Sequence, residues 1–144
     1  ARCTYLAAYG IPETIQHDDL HDGNVFVRDG RYLFFDWGDS CVSHPFNTLV
    51  VTMRSLVHRL ELAPGGPDVV RLRDAYLEPF HRFGSRDELV EAAELAHYIG
   101  TAARSLNWNR FIRVREPQYR FDDEDAVPYG LKRLLDIGPL GSWS

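Results

Sequence analysis

Apolar residues recur at the helical period through most of this chain and gather into one short paired run near its start. Tyr5, Leu6 and Tyr9 share a helical face, and Gly10 followed by Pro12 ends that first helix. Residues 25–28 and 31–35 read as two apolar strands, and Asp29-Gly30 between them is a strong two-residue turn signal. Pro45 suits the first turn of a helix in which Phe46, Leu49, Val50, Met53, Val57 and Leu60 form a stripe to about residue 62. Pro64, Gly65, Gly66 and Pro67 break the chain, but as a loop rather than a domain linker. Asp68 is placed to cap the next helix, with Val69, Leu72, Tyr76, Phe80 and Phe83 on one face, a kink or late break at Pro79 and a stop at Gly84. Ser85 with Glu88 forms a capping box for a helix through Leu95 and Ile99 toward Leu106. Residues 107–125 mix charges with Trp108, Phe111, Tyr119 and Phe121, which predicts irregular or partly helical structure. A last helix over 127–137 carries Leu131, Leu134 and Leu135 together. The expected fold class is mainly α with a small β-hairpin, an α+β arrangement.

Composition narrows the partners. At 144 residues, with 44% hydrophobic and 26% charged residues, the chain can bury a core and is one domain or part of one. No run approaches the roughly 20 apolar residues of a membrane span, and no secretory leader opens the chain, so a cytoplasmic protein without a membrane partner is expected. Cys3 and Cys41 are too few for a disulfide scaffold and are expected to be reduced. A net charge of −5 without a basic stripe argues against nucleic acid and would suit a cationic small molecule.

Chemistry concentrates in His17-Asp18-Asp19-Leu20-His21-Asp22-Gly23-Asn24 and in Asp36-Trp37-Gly38. With the turn at Asp29-Gly30, Arg28 faces Arg31, Val27 faces Tyr32 and Asn24 arrives opposite Phe35. Directly opposed residues lie about 5 Å apart, so Asn24 and Asp36 meet at the open end of the hairpin. Two hard oxygen donors on adjacent strand ends are what Mg²⁺ carrying substrate phosphates needs. Asp36 follows Leu33-Phe34-Phe35 and is expected at the edge of an apolar core, where a cation or another partner must offset its charge. Asp19, on the loop entering the hairpin, is placed to orient a substrate hydroxyl and take its proton.

His17-x-Asp19-Leu20-x-x-x-Asn24 followed by Asp36-Trp37-Gly38 resembles the catalytic loop and metal-binding motif of the protein-kinase-like fold. With His21 and Gly23 in place, the loop is closer to the aminoglycoside phosphotransferase and choline kinase group than to protein kinases. The resemblance implies Asp19 as the catalytic residue, Asn24 and Asp36 as the ligands of Mg²⁺ and its ATP, and His17 as a loop-supporting residue. It covers residues 15–40, with the helical remainder agreeing only in general character.

The same resemblance defines what is not in these 144 residues. Kinase-like enzymes grip nucleotide phosphates with a lysine on an N-terminal lobe upstream of the catalytic loop. Here sixteen residues precede His17 without a lysine or a glycine-rich loop, and Lys132, the single lysine against fifteen arginines, lies downstream. The N-terminal lobe is therefore expected to be missing, and residues 1–144 to be a single C-terminal, substrate-binding lobe that transfers phosphate poorly alone. The first residue, which is not Met, fits a fragment or processed product.

Further substrate contacts are expected from Asp122, Asp123 and Glu124, which could line a pocket for a polyamine or aminosugar, and from Trp108, which could stack on a sugar or cap an ammonium group. A solvated acidic face and core packing are the plainer readings of the two. Asp18 and Asp22 read as solvated or local acceptors, with Asp22 nearer phosphate and metal, and Asp39 as a turn acceptor or an outer metal neighbour. Two other functions compete: a catalytically silent kinase-like binding module, and a metal phosphohydrolase built on the His17-Asp18 and His21-Asp22 doublets. Gly23 and the hairpin argue against a helical zinc pair at His17 and His21.

Overall fold

Asp29 and Gly30 both take left-handed backbone angles, φ 52° and 72°, as a tight primed turn requires. In the computed structural model, which describes residues 1–115 and 125–140, this turn joins β2 (Val25–Arg28) to β3 (Arg31–Phe34). The antiparallel register pairs Arg28 with Arg31, Val27 with Tyr32 and Val25 with Phe34, as the turn dictates. A second sheet, unforeseen in the sequence, pairs β1 (Thr14–Gln16) with β4 (Cys41–Ser43). These three-residue strands frame the motif: everything between His17 and Ser40 is a loop-and-hairpin excursion from one small ribbon.

Helices make up the rest: α1 (Arg2–Ala8), α2 (Leu49–Arg59), α3 (Pro67–Leu77), α4 (Arg86–Val114) and α5 (Ala126–Leu135). Together with the two small antiparallel sheets they give a mostly helical α+β fold. The core lies where α2, α3 and α4 converge. Phe46, Leu49, Met53, Val69, Leu77 and Leu89 are fully buried there, beside Ala92, Ala93 and Ala96 on α4. The small residues of α4 let α2 approach closely: a side-chain carbon at Gly100 would stand 2.8 Å from Val50 Cγ2. Phe46 meets Phe80 edge-to-face at 4.9 Å, and Tyr76 donates its hydroxyl hydrogen to the Pro45 carbonyl at 2.8 Å.

Several boundaries depart from expectation for local reasons. The stripe from Phe46 begins with a 3₁₀ turn, Pro45–Thr48, whose Phe46 amide donates to His44 Nδ1. It then ends at Arg59, because Glu61 turns left-handed (φ 49°) and the Leu62 amide donates back to Val57; Leu60 is left exposed. Asp68 does not cap α3. Gly66 holds that position with Pro67 at the first turn, while Asp68 pairs with Arg71. Pro79 gives the late break, as α3 passes at Leu77 into a 3₁₀ run, Glu78–Phe83. Ser85 and Glu88 form the capping box. From it α4 runs to Val114 rather than Leu106, because neither Gly nor Pro interrupts residues 107–114.

The hairpin corrects one expectation directly. It is not the edge of an apolar core: Phe26, Leu33, Phe34 and Phe35 are each about half exposed, and Asp36 is exposed as well. No helix among the described residues is long and apolar enough to cross a membrane.

Candidate active site

The segment from His17 to Asn24 is held from two directions. On the hairpin side, His17 is buried and its Nε2 donates to the Phe35 carbonyl at 2.8 Å. Its ring stands 4.8 Å from that of Trp37, whose indole N–H donates to the Phe34 carbonyl at 3.0 Å. On the helix side, Thr52 donates to the Leu20 carbonyl at 2.9 Å. Asp22 accepts from Arg59 at 2.7 and 3.0 Å. Asp22 thus ties the loop to α2, and Arg59 holds its carboxyl below the ordinary value.

Asn24 and Asp36 are brought to neighbouring strand ends. The Phe35 amide donates to the Asn24 carbonyl at 3.2 Å, extending the ladder by one residue, so Asp36 follows directly after Asn24's partner. The Asn24 side chain is buried, and its amide nitrogen donates to the Asp19 carbonyl at 3.0 Å. That bond fixes the orientation of the amide and leaves its oxygen for another partner. Asp36 adopts φ 62°, ψ 57°, a left-handed conformation that costs a side-chain-bearing residue about 1 kcal/mol or more and concentrates at functional positions. Among the described residues no cationic side chain stands within ion-pairing distance of its carboxylate. An oriented amide oxygen and an exposed carboxylate are hard oxygen donors of the kind that could hold Mg²⁺. Among the described residues no three His, Cys, Asp or Glu side chains gather as a metal cluster, so such an ion would take further ligands from substrate oxygens and water.

Asp19 sits in the same cluster, with a neighbour that spacing could not reveal. Its Oδ1 accepts from Arg104 of α4 at 2.7 Å, and its Oδ2 lies 3.5 Å from His21 Nε2. The Asp19 side chain keeps 27% of its exposure, so the carboxylate is tethered rather than sealed. Arg104 also donates to the Asp18 carbonyl. Of the two readings of Asp18, solvated or a local acceptor, the first does not hold: its backbone is left-handed (φ 59°) and its side chain is mostly buried. Burial pushes the Asp18 carboxyl up, while Arg104 pulls against that shift.

Beside these groups opens a cavity of about 590 Å³ between the loop and α4, lined by Asp18, Asp39, Arg104, Asn107, Trp108 and Phe111. Trp108 is half-buried and meets Phe111 edge-to-face at 5.7 Å, so it borders the cavity instead of the core. Asp122, Asp123 and Glu124 lie outside the described residues. The two His-Asp doublets do not converge: His17 turns to Phe35, His21 Nδ1 accepts from the Gly23 amide, and Asp22 turns to Arg59.

The family model of the phosphotransferase enzyme family matches residues 4–88. That is more than half of the chain, which therefore belongs to this family. The match contains the loop, the hairpin, α2 and α3 and stops where α4 begins, leaving Arg104 and Trp108 outside it. No curated protein and no solved structure matches the chain.

Proposed function

We propose that this chain is the C-terminal, substrate-binding lobe of a kinase-like, ATP- and Mg²⁺-dependent phosphotransferase acting on a hydroxyl of a small molecule in the cytoplasm. The observation that carries the reading is the tethering of Asp19, Asn24 and Asp36 into one cluster by His17–Phe35 and Asn24–Asp19 hydrogen bonds, with Asp36 held left-handed and exposed at its rim. Such strain persists only where the surroundings enforce it.

In this reading Asp19 accepts a hydrogen bond from the acceptor hydroxyl and takes its proton as transfer proceeds. The phosphoryl transition state is loose, so placement of the hydroxyl matters more than basicity. Arg104 holds Asp19 through one oxygen and fixes the direction of the other. His17 and Asn24 keep the loop and the strand ends together. Mg²⁺ on Asn24 and Asp36 would neutralise the transferring phosphates. The apolar, half-exposed hairpin residues Phe26, Leu33, Phe34 and Phe35 support a covering N-terminal lobe, with the nucleotide between the two.

Magnesium-dependent nucleotide binding by the full-length protein, lost in Asp36→Ala, is the expected result. Nucleotide binding that neither needs magnesium nor responds to Asp36→Ala would favour a silent binding module.

A further inference from the structure

A second cavity, of about 230 Å³, lies between α2, α4 and α5. Three arginines line it, one from each helix: Arg54, Arg104 and Arg133. Among the described residues no carboxylate lines it. Arg104 is accounted for by Asp19, and Arg133 donates to the Tyr129 hydroxyl at 3.0 Å. Arg54 differs. It is half-buried, and no described residue gives it a hydrogen bond or an ion pair.

The described groups around this cavity act on one another. Burial, then the charges of Arg104 and Arg133, push the Arg54 guanidinium below its ordinary value, against smaller opposing pulls from Tyr129 and Asp19. Arg133, by hydrogen bond and charge, with Arg54 adding to the charge, pulls the Tyr129 phenol down. His97 on the same wall is held neutral, its pKa lowered by burial and by Arg133 to about 3. A half-buried cation with no hydrogen bond or ion pair among the described residues is costly, and a planar guanidinium matches the oxygen edge of a carboxylate or phosphate.

We propose that Arg54, Arg104 and Arg133 form an anion subsite that receives a carboxylate or phosphate group of the acceptor molecule. The assignment rests on the phosphotransferase reading, and it reverses the cationic acceptor that the net charge suggests. Arg104 belongs to both places: it bonds Asp19 on one side and lines the cavity on the other. Because Arg104 links the two places, the acceptor class this subsite would take is a small hydroxy acid or hydroxy phosphate. No hairpin residue lines this cavity, so it is distinct from the metal and nucleotide side.

Calorimetric titration of the full-length protein with inorganic phosphate and with acetate tests the subsite without needing activity. Saturable binding of one of them, weakened at least tenfold in Arg54→Gln and largely kept in Arg54→Lys, is expected. Arg71→Gln, which removes an exposed arginine paired with Asp68, should leave it unchanged. Absence of saturable binding, or equal binding by Arg54→Gln, overturns the subsite. A second arm offers Mg-ATP with matched pairs of hydroxy acid and hydroxy amide, and of hydroxy phosphate and diol. A tenfold or greater preference in kcat/KM for the anionic member, lost in Arg54→Gln, supports the acceptor assignment. Preference for the neutral member, with transfer intact, refutes it and leaves the phosphotransferase reading standing. Transfer to no compound sinks that reading and the acceptor assignment with it, while the titrations still judge the anion subsite.

Discussion

Arg104→Met should cost this protein about 2 kcal/mol. Arg104 makes a charge-assisted bond to Asp19 at 2.7 Å and a second to the Asp18 carbonyl, from a side chain only 17% exposed. Hydrogen bonds to charged groups contribute about 1.5–3 kcal/mol each, and breaking a buried ion pair costs about 3–5 kcal/mol. Two effects bring the figure to the lower end. Asp19 stays partly solvated, and removal of Arg104 relieves the repulsion it exerts on Arg54. With an m-value of about 2 kcal/mol/M, the urea midpoint should fall by about 1 M. A cycle with Asp19→Asn isolates the pair, and about 1–2 kcal/mol of coupling is expected. A midpoint within about 0.3 M of the parent protein, or additive single variants, would refute the ion pair as the tether of the loop.

Three further outcomes follow from burial and packing. Burial raises the Asp18 carboxyl above its unfolded value, so the native state holds its proton more tightly and ionisation costs stability. Asp18→Asn should therefore raise the melting temperature at pH 7, with the gain vanishing in melts below about pH 4. His97 and His44 are pushed down by burial to about 3 and about 4. Each stays neutral when folded and protonates when unfolded, so they contribute stability that is lost as pH falls from about 6.5 toward those values. Their joint slope peaks at about 2.5 kcal/mol per pH unit near pH 5 and is about 2 at pH 6 and at pH 4, opposed in part by Asp18 and Glu94, and denaturant melts of His97→Asn should show about half of the histidine contribution removed. Gly100→Ala would press a carbon to 2.8 Å from Val50 Cγ2. It should destabilise by about 1–3 kcal/mol in thermal melts and be partly rescued by Val50→Ala.

Much of this arrangement was legible because it is local. The Asp29-Gly30 turn alone sets the register that brings Asn24 to Phe35, and the Ser85/Glu88 box locates the start of α4. What was hidden depends on contacts between distant segments. Arg104 lies 85 residues from Asp19, in an ordinary helical stretch, with no spacing to betray its partner. Arg54 reads as one more polar position between the core residues Met53 and Val57. The β1–β4 ribbon pairs strands of three residues, too short for an alternation to show. The hairpin was misread for the opposite reason: its apolar run implies burial, yet burial depends on a neighbour that those residues cannot specify. A net charge of −5 is a sum over the whole chain and could not show that three arginines meet at one cavity.

The most direct test is transfer of the γ-phosphate from ATP to a panel of small hydroxyl compounds by the full-length protein, in the parent and in Asp19→Asn. Magnesium-dependent phosphorylation of at least one compound is expected, with kcat reduced by about 10²-fold or more in the variant. Transfer that survives Asp19→Asn undiminished, or a correctly folded full-length protein that phosphorylates nothing, would contradict it.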